Sequence, residues 1–317
     1  MEASQITQQL TELSQKRFNR VPAEKTLANN TKMILKLQTM IGDDKEDWYY
    51  QLAKIKELLE SHQYAVSTRR NYLSLCLQLI LYDQLILNKP VESIASEFIE
   101  EVKALEKTKK TNEKNNIISE KKMAQKEITY KELNDLVMML RDHKLFGDAL
   151  IIMILMVYPI RAEVGTLKLI SKYKYNKIKG TMPEANYIVR NKDSLVMSRN
   201  DYKTASQYGR KEHRITDFIL KPAILEYLNE YMDKGDSLFN YDHQATSKRL
   251  HYITNKYLGT PLSVNAITKI CIEHKLRRIN EGEGDSMKKI NETKKYLEEV
   301  SEIRGTSLQI LFDNYIN

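Results

Sequence analysis

The sequence predicts a mainly α protein: a helical N-terminal domain followed by an α-rich second domain with a small antiparallel β-sheet. Three observations predict it. At roughly 150 residues per domain, 317 residues leave room for two cores. Ten glycines and six prolines are too few for the turns of a sandwich or barrel. Apolar residues recur at i, i+3 and i+4 along most of the chain, and two-residue alternation is confined to a short central stretch. A hydrophobic content of 42% with 29% charged residues excludes wholesale disorder.

The first domain, residues 1–102, carries helical spacing over 23–41, 47–59, 67–86 and 91–102. Pro22 and Pro90 sit at helix starts, where a missing N–H is tolerated, and Ser67 is the expected N-cap of the third helix. Residues 103–126 then hold eight lysines against three glutamates and few apolar anchors, the composition of a solvated basic linker.

The second domain, 127–317, opens on Thr129-Tyr130-Lys131-Glu132, the spacing of a capping box ahead of Leu133, Leu136, Val137 and Leu140. A buried helix over 149–158 ends against Pro159. The apolar run 149–160 is too short to cross a bilayer, and no basic leader precedes it at the chain start, so an unsecreted, soluble protein is expected. Strands follow at Tyr187-Ile188-Val189 and Leu195-Val196-Met197, separated by Asn191 and Asp193, and at His213-Arg214-Ile215-Thr216. Residues 221–315 are helical again, broken at Gly235, Gly259 and Glu281-Gly282-Glu283-Gly284. No internal repeat is present.

Several chemistries are excluded at once. The sequence has no GxxxxGK[ST], GxGxxG or GxSxG, and the six histidines never fall at metal-ligand spacing. Cys76 and Cys271 lie in separate apolar stretches, as buried thiols of a reducing compartment do. No metal and no small-molecule cofactor is expected. A net charge of +8 points toward a polyanionic partner.

Four signals are ordered along the rest of the chain. Val157-Tyr158-Pro159-Ile160-Arg161-Ala162-Glu163 sends an arginine out of a buried helix. Asp201-Tyr202-Lys203-Thr204 falls between the second and third strands. A basic helix runs from 263 to 279. Arg304-Gly305-Thr306-Ser307 precedes Tyr315, which stands ten residues after Gly305. In this order they resemble the tyrosine recombinases of the phage-integrase type. The helical first domain, with Ser67-Thr68-Arg69-Arg70-Asn71-Tyr72, resembles that family's core-binding domain, and the basic linker has a counterpart there as well.

The resemblance implies a site-specific recombinase or integrase acting on double-stranded DNA without metal or ATP. Tyr315 would attack a phosphodiester to give a 3′-phosphotyrosyl bond and a free 5′-hydroxyl. Arg161 would clamp the phosphate with its planar fork, and Lys203 would protonate the leaving oxygen as general acid. Arg69, Arg70, Lys109 and Lys110 would contact the DNA backbone.

The family's His-x-x-Arg element is matched literally by His274-Lys275-Leu276-Arg277, late in its helix. Aligning helix starts instead selects Asn265, Thr268 and Lys269, with Thr306 at the position of a second histidine. Arg304 or Lys269 is then the candidate for the missing charge. These departures keep a second reading open, a catalytically reduced recombinase-fold protein that binds DNA or has a structural role.

The resemblance implies a tetramer on DNA, and because only Ile316 and Asn317 follow Tyr315, a monomer off DNA is expected. The expected location is intracellular, in cytoplasm or nucleus wherever the target DNA resides, or in a virion. The abundance of Lys, Asn, Ile and Tyr suits the AT-rich genome of a mobile element or DNA virus.

Overall fold

The computed structural model describes residues 1–42, 47–114, 120–181, 185–192, 194–202, 204–231 and 237–315; for 113, 114, 120–122, 126, 206 and 313–315 it describes the backbone alone. Asp193, Lys203 and Gly235, named above, lie outside the described residues. The chain divides into two units, residues 1–118 and 119–317.

The N-terminal unit comprises α1 (Ala3–Phe18), α2 (Glu24–Ile41), a 3₁₀ turn at Trp48–Tyr50, α3 (Leu52–Ser61), α4 (Val66–Leu85) and α5 (Glu92–Lys114). Helix α4 buries Tyr72, Leu73, Leu75, Cys76, Leu79, Ile80, Tyr82 and Asp83 over about half of its circumference, and most of its other positions are half-buried. A helix of that pattern belongs inside a bundle, and α1, α2, α3 and α5 all pack on it. Trp48, Ile6, Ile34, Leu37 and Phe98 complete the core. Asp83 is buried but satisfied: it accepts from Tyr49 Oη at 2.6 Å and from Tyr50 Oη, and pairs with Lys89 at 3.1 Å. Burial and the Asp83 carboxylate push the Tyr49 phenol well above its ordinary value.

Two local expectations are corrected here. Helix α4 begins at Val66 after Ala65, which has no side-chain acceptor, so Ser67 lies inside the first turn and is not the cap. The lysine-rich segment is largely helix, since α5 continues to Lys114 and Glu120–Glu127 is helical again, and the two units divide at 118/119, inside the expected 103–126 linker. Lys, Glu, Ala and Leu are good helix formers, and Leu105 is buried in the core, anchoring the extension.

The second unit runs α6 (Glu120–Glu127), α7 (Tyr130–Asp142), α8 (Phe146–Val157), a 3₁₀ turn (Ala162–Thr166), β1 (Lys168–Ser171), α9 (Lys172–Ile178), β2 (Tyr187–Asn191), β3 (Ser194–Arg199), α10 (Ala205–Tyr208), β4 (Lys211–Arg214), α11 (Leu220–Glu226) with a π-helical turn at Tyr227–Tyr231, α12 (His243–Leu258), α13 (Val264–Glu281), α14 (Ser286–Arg304) and α15 (Leu308–Tyr315). The capping box forms as its spacing predicts: Thr129 Oγ1 accepts from Glu132 N, and Glu132 Oε2 accepts from Thr129 N at 2.7 Å. Helix α8 is buried among α7, α11 and α13. The carboxylate of Asp148 on α8 takes both Nε and Nη2 of Arg249, which ties α8 to α12.

The sheet has the order β1-β2-β3-β4. The β2–β3 and β3–β4 pairs are antiparallel, with Val189 opposite Val196 and Met197 opposite His213. The β1–β2 pair is parallel, with Lys168 opposite Tyr187, so the sheet is mixed instead of wholly antiparallel. Four residues of Lys-Leu-Ile-Ser are too short to carry a period of two, which is why β1 left no trace in the sequence pattern. A smaller cluster of Ile272, Leu276, Leu297, Val300 and Leu311 seats α15 on α13 and α14. No described helix is long and apolar enough to cross a membrane.

Replacing Thr129 by Ala removes a hydrogen-bonded cap. The expected loss is about 1 kcal/mol of stability, read as a shift of the urea midpoint with unchanged slope.

Candidate active site

Arg161 is delivered by the end of α8. Pro159 cannot continue the helix, Ile160 is fully buried, and Arg161 adopts extended dihedrals (φ −98°, ψ −160°) as the residue before the 3₁₀ turn. That turn is pressed against α12: a Cβ on Gly165 would meet Thr246 Oγ1 at 1.8 Å, so only glycine fits there.

Below it lies a buried ion pair. Arg199, at the end of β3, is 0% exposed and donates Nη2 to Glu163 Oε1 at 2.6 Å, with Glu163 only 2% exposed. Arg199 Nη1 also donates to the carbonyl of Ile303 at the end of α14, and the guanidinium carbon sits 4.5 Å from the centre of the Tyr202 ring. Burial pulls Arg199 below its ordinary pKa, and Glu163 opposes that pull. One side chain thus fastens the 3₁₀ turn, the sheet and the last turn of α14.

Gly305 closes α14 in the left-handed region (φ 60°). A Cβ there would lie 2.7 Å from Thr204 Oγ1 and 2.8 Å from Tyr202 Cε2. Both the backbone angle and the close approach therefore require glycine. Thr204 Oγ1 donates to Gly305 O at 2.7 Å. On the other side, Arg161 Nη1 donates to Arg304 O at 3.1 Å, while Arg304 Nη1 donates to Pro159 O at 3.2 Å and Nη2 to Asn265 Oδ1 at 2.6 Å. The two guanidinium groups are cross-linked through each other's chain segments, 143 residues apart for the first bond.

The four signals of the sequence therefore meet. Arg161 and Arg304 are half-buried, Asn265 is exposed in the first turn of α13, and Arg161 contacts no carboxylate among the described residues. Lys203 lies outside the described residues, between Tyr202, whose Oη donates to Gly209 O, and Thr204. Thr306 follows Gly305 and donates its N–H to Ser301 O. Tyr315 ends α15; only its backbone is described.

His274 and Arg277 are not brought to this cluster. Arg304 reaches Asn265, and His274 lies nine residues further on, about 13 Å along the helix axis. There its ring stacks on Tyr130 at 4.1 Å, and Arg277 is exposed beyond it. The literal motif misleads because Ser263 caps α13 and fixes where that helix begins. Of the positions found by aligning helix starts, Asn265 bonds within the cluster, Thr268 is fully buried, and Lys269 lies 3.5 Å from Glu273. Arg199 was the residue that sequence reasoning overlooked. Its signal was slight, one arginine ending the otherwise apolar Leu195-Val196-Met197 strand.

In the N-terminal unit, Arg69 donates to Glu60 at 2.8 Å, and Arg70 Nε lies 2.6 Å from Glu106 Oε2 without hydrogen-bond angles. Both charges are already partnered. Lys109 is half-buried and Lys110 exposed on α5. No group of three His, Cys, Asp or Glu able to hold a metal exists among the described residues.

No family model matches the chain, and no curated protein sequence matches it. Among solved structures it is similar to the crystal structure of XerA recombinase, with 12% identity, a TM-score of 0.37, and coverage of 100% of this chain and 94% of that one.

Two outcomes test the site's foundations. Arg199→Met leaves Glu163 buried without its partner and is expected to cost about 3–5 kcal/mol in urea unfolding. Adding Glu163→Met should return much of that loss, because the stranded charge is gone. His213 on β4 is held neutral, its pKa pushed down to about 4 by burial first and then by Arg199 and Lys211, with Glu302 opposing. Its ordinary value is 6.5, so between these values the unfolded chain binds the proton first. Stability should therefore fall as pH drops from about 6.5 to about 4, and His213→Gln should flatten thermal unfolding across that window.

Proposed function

We propose that the chain is a site-specific recombinase that cuts and rejoins duplex DNA through a phosphotyrosine intermediate. The observation that carries this reading is the reciprocal lock between Arg161 and Arg304. Two planar cations from distant segments are held by backbone carbonyls, with the Asn265 amide beside them. Rigid donors of this kind stabilise charge that develops on a phosphate's non-bridging oxygens. Nothing in the arrangement requires a metal ion.

In the cleavage step the Tyr315 phenol gives up its proton to solvent as its oxygen forms a bond to phosphorus, and the bond to the 5′-oxygen breaks. Lys203 donates a proton to that leaving oxygen. Attack by a 5′-hydroxyl on the phosphotyrosine reverses the step, so the bond energy is conserved and no ATP is consumed. Arg304 fills the role for which the resemblance asks a second arginine. His274 and Arg277 have no part in it. Arg69, Arg70, Lys109 and Lys110 track the backbone from the N-terminal unit, and protomers assemble as a tetramer on DNA.

A pool of randomised duplexes carrying a nick beside the cleavage position tests this, since loss of the short cut fragment prevents rejoining. Wild-type protein should accumulate a covalent DNA adduct that Tyr315→Phe cannot form. Arg161→Ala and Arg304→Ala should each slow adduct formation by roughly 10²–10³ while weakening binding far less. Asn265 and Thr306 stand where the resemblance implies histidines, and this favours the catalytically reduced reading as the alternative. Duplex binding with no adduct on any substrate would establish that alternative.

A further inference from the structure

The densest uncompensated charge in the chain lies outside every motif used so far. Between Glu163 and Glu184 there are five lysines, Lys168, Lys172, Lys174, Lys177 and Lys179, and no acidic residue. The structure places Lys168 on β1 and Lys172, Lys174 and Lys177 on α9, with Lys179 in the 3₁₀ turn that follows. Helix α9 is pinned by one residue: Tyr175 is buried and its hydroxyl meets Ser198 Oγ at 2.6 Å and Glu212 Oε1 at 2.9 Å. At 100° per residue, Tyr173 and Lys177 then point away from the sheet, with Lys172 and Lys174 on either flank. Lys168, Lys172, Lys174 and Lys177 are all exposed. Tyr173 is 71% exposed, and the Lys177 ammonium lies 4.4 Å from its ring centre. Only Lys179 forms an ion pair, with Glu212 at 3.4 Å, among the described residues.

The arrangement works against the helix itself. Like charges three or four positions apart, such as Lys174 and Lys177, destabilise a helix, and a large exposed aromatic ring adds nothing to the core. A polyanion laid across the surface would relieve the repulsion. The outward face of a helix is convex, and here it carries Tyr173 and Lys177, with Lys172 and Lys174 on its flanks. That shape suits a continuous phosphodiester backbone and not a small anion, which needs a cradle.

We propose that β1 and α9 form a second contact with the sugar–phosphate backbone of duplex DNA, in which Lys168, Lys172, Lys174 and Lys177 neutralise phosphates and Tyr173 packs on the sugar edge. This rests on the DNA-directed reading of the preceding section. Ser198, which holds Tyr175, directly precedes Arg199 on β3.

The test is the salt dependence of binding to a fluorescein-labelled duplex of random sequence, measured by anisotropy. Replacing the four exposed lysines together by Gln (K168Q/K172Q/K174Q/K177Q) should lower the log–log salt slope by about 0.9 for each phosphate that is no longer neutralised, roughly 3–4 in all. Tyr173→Ala should weaken binding while leaving that slope in place. The charge-matched control K288Q/K289Q/K294Q/K295Q removes equal charge from α14, where Glu292, Glu298 and Glu299 are interspersed, and should change the slope by less than about one.

Unchanged melting temperatures show that the variants fold. If wild type binds duplex with the full slope and the α9 variant matches it, the patch is overturned and the recombinase reading stands. Equal slope losses in the variant and the control would also overturn it, because net charge alone would then explain the effect. If wild type binds no duplex but binds phosphatidylserine vesicles through the same lysines, both proposals fall.

Discussion

Everything at the candidate site depends on keeping one arginine ionised inside the protein. Arg199 is fully buried, and a buried guanidinium without partners is among the most costly groups a fold can contain. Its partners come from three segments: the carboxylate of Glu163, the carbonyl of Ile303 and the face of Tyr202. Each stands one or two positions in sequence from a residue singled out by its motif: Glu163 is two positions after Arg161, Ile303 one before Arg304, and Tyr202 one before Lys203. The energetic demand of burying Arg199 is thereby converted into the positioning of surface side chains. Replacing this pair by apolar residues of similar size would still pack, but it would remove the directional bonds that set the three segments in register.

The same constraint explains the glycine at 305. With Arg199 drawing the last carbonyls of α14 inward, the chain must turn within one residue, over the Tyr202 ring and against Thr204. A side chain there would displace Tyr202, and with it one wall of the Arg199 site. Helix α14 and the β3–β4 connection are coupled through that single contact, and the residue between Tyr202 and Thr204 is Lys203. The segment that carries the candidate general acid is therefore anchored on both sides.

How much of this was legible follows from the range of each interaction. The capping box at Thr129, the buried helix before Pro159 and the β2–β3 hairpin are set by neighbours a few residues apart, and spacing alone revealed them. Strand β1 is parallel to β2 and satisfied by residues about twenty positions away, so its four residues read as loop. The extension of α5 was hidden because lysine-rich composition suits both a solvated linker and an exposed helix, and only the burial of Leu105 distinguishes them. At the site, Arg161 and Gly305 stood out as local motifs. Arg199 did not, because its importance lies wholly in partners 36 and 104 residues distant. The His274 motif lies away from the cluster for the opposite reason: it is local and literal, but the Ser263 cap places the start of α13, and Asn265 with it, at the cluster.

Charge is deployed differently in different parts of the molecule, and net charge alone conceals this. The N-terminal arginines that looked available are partnered, Arg69 with Glu60 and Arg70 with Glu106, so a ligand must compete with an existing carboxylate to use them. Exposed pairs of this kind are worth little, and exchanging one anion for another involves a small free-energy change in either direction. On the proposed reading they would tune where a polyanion settles and add little to how tightly it is held. Unpaired lysines on a pinned helix act otherwise: each releases a counterion without first giving up a partner. By this logic β1 and α9 would supply binding strength and the N-terminal arginines adjustable register, while the Arg161–Arg304 lock, already satisfied by carbonyl oxygens, keeps its geometry whether or not a phosphate is present.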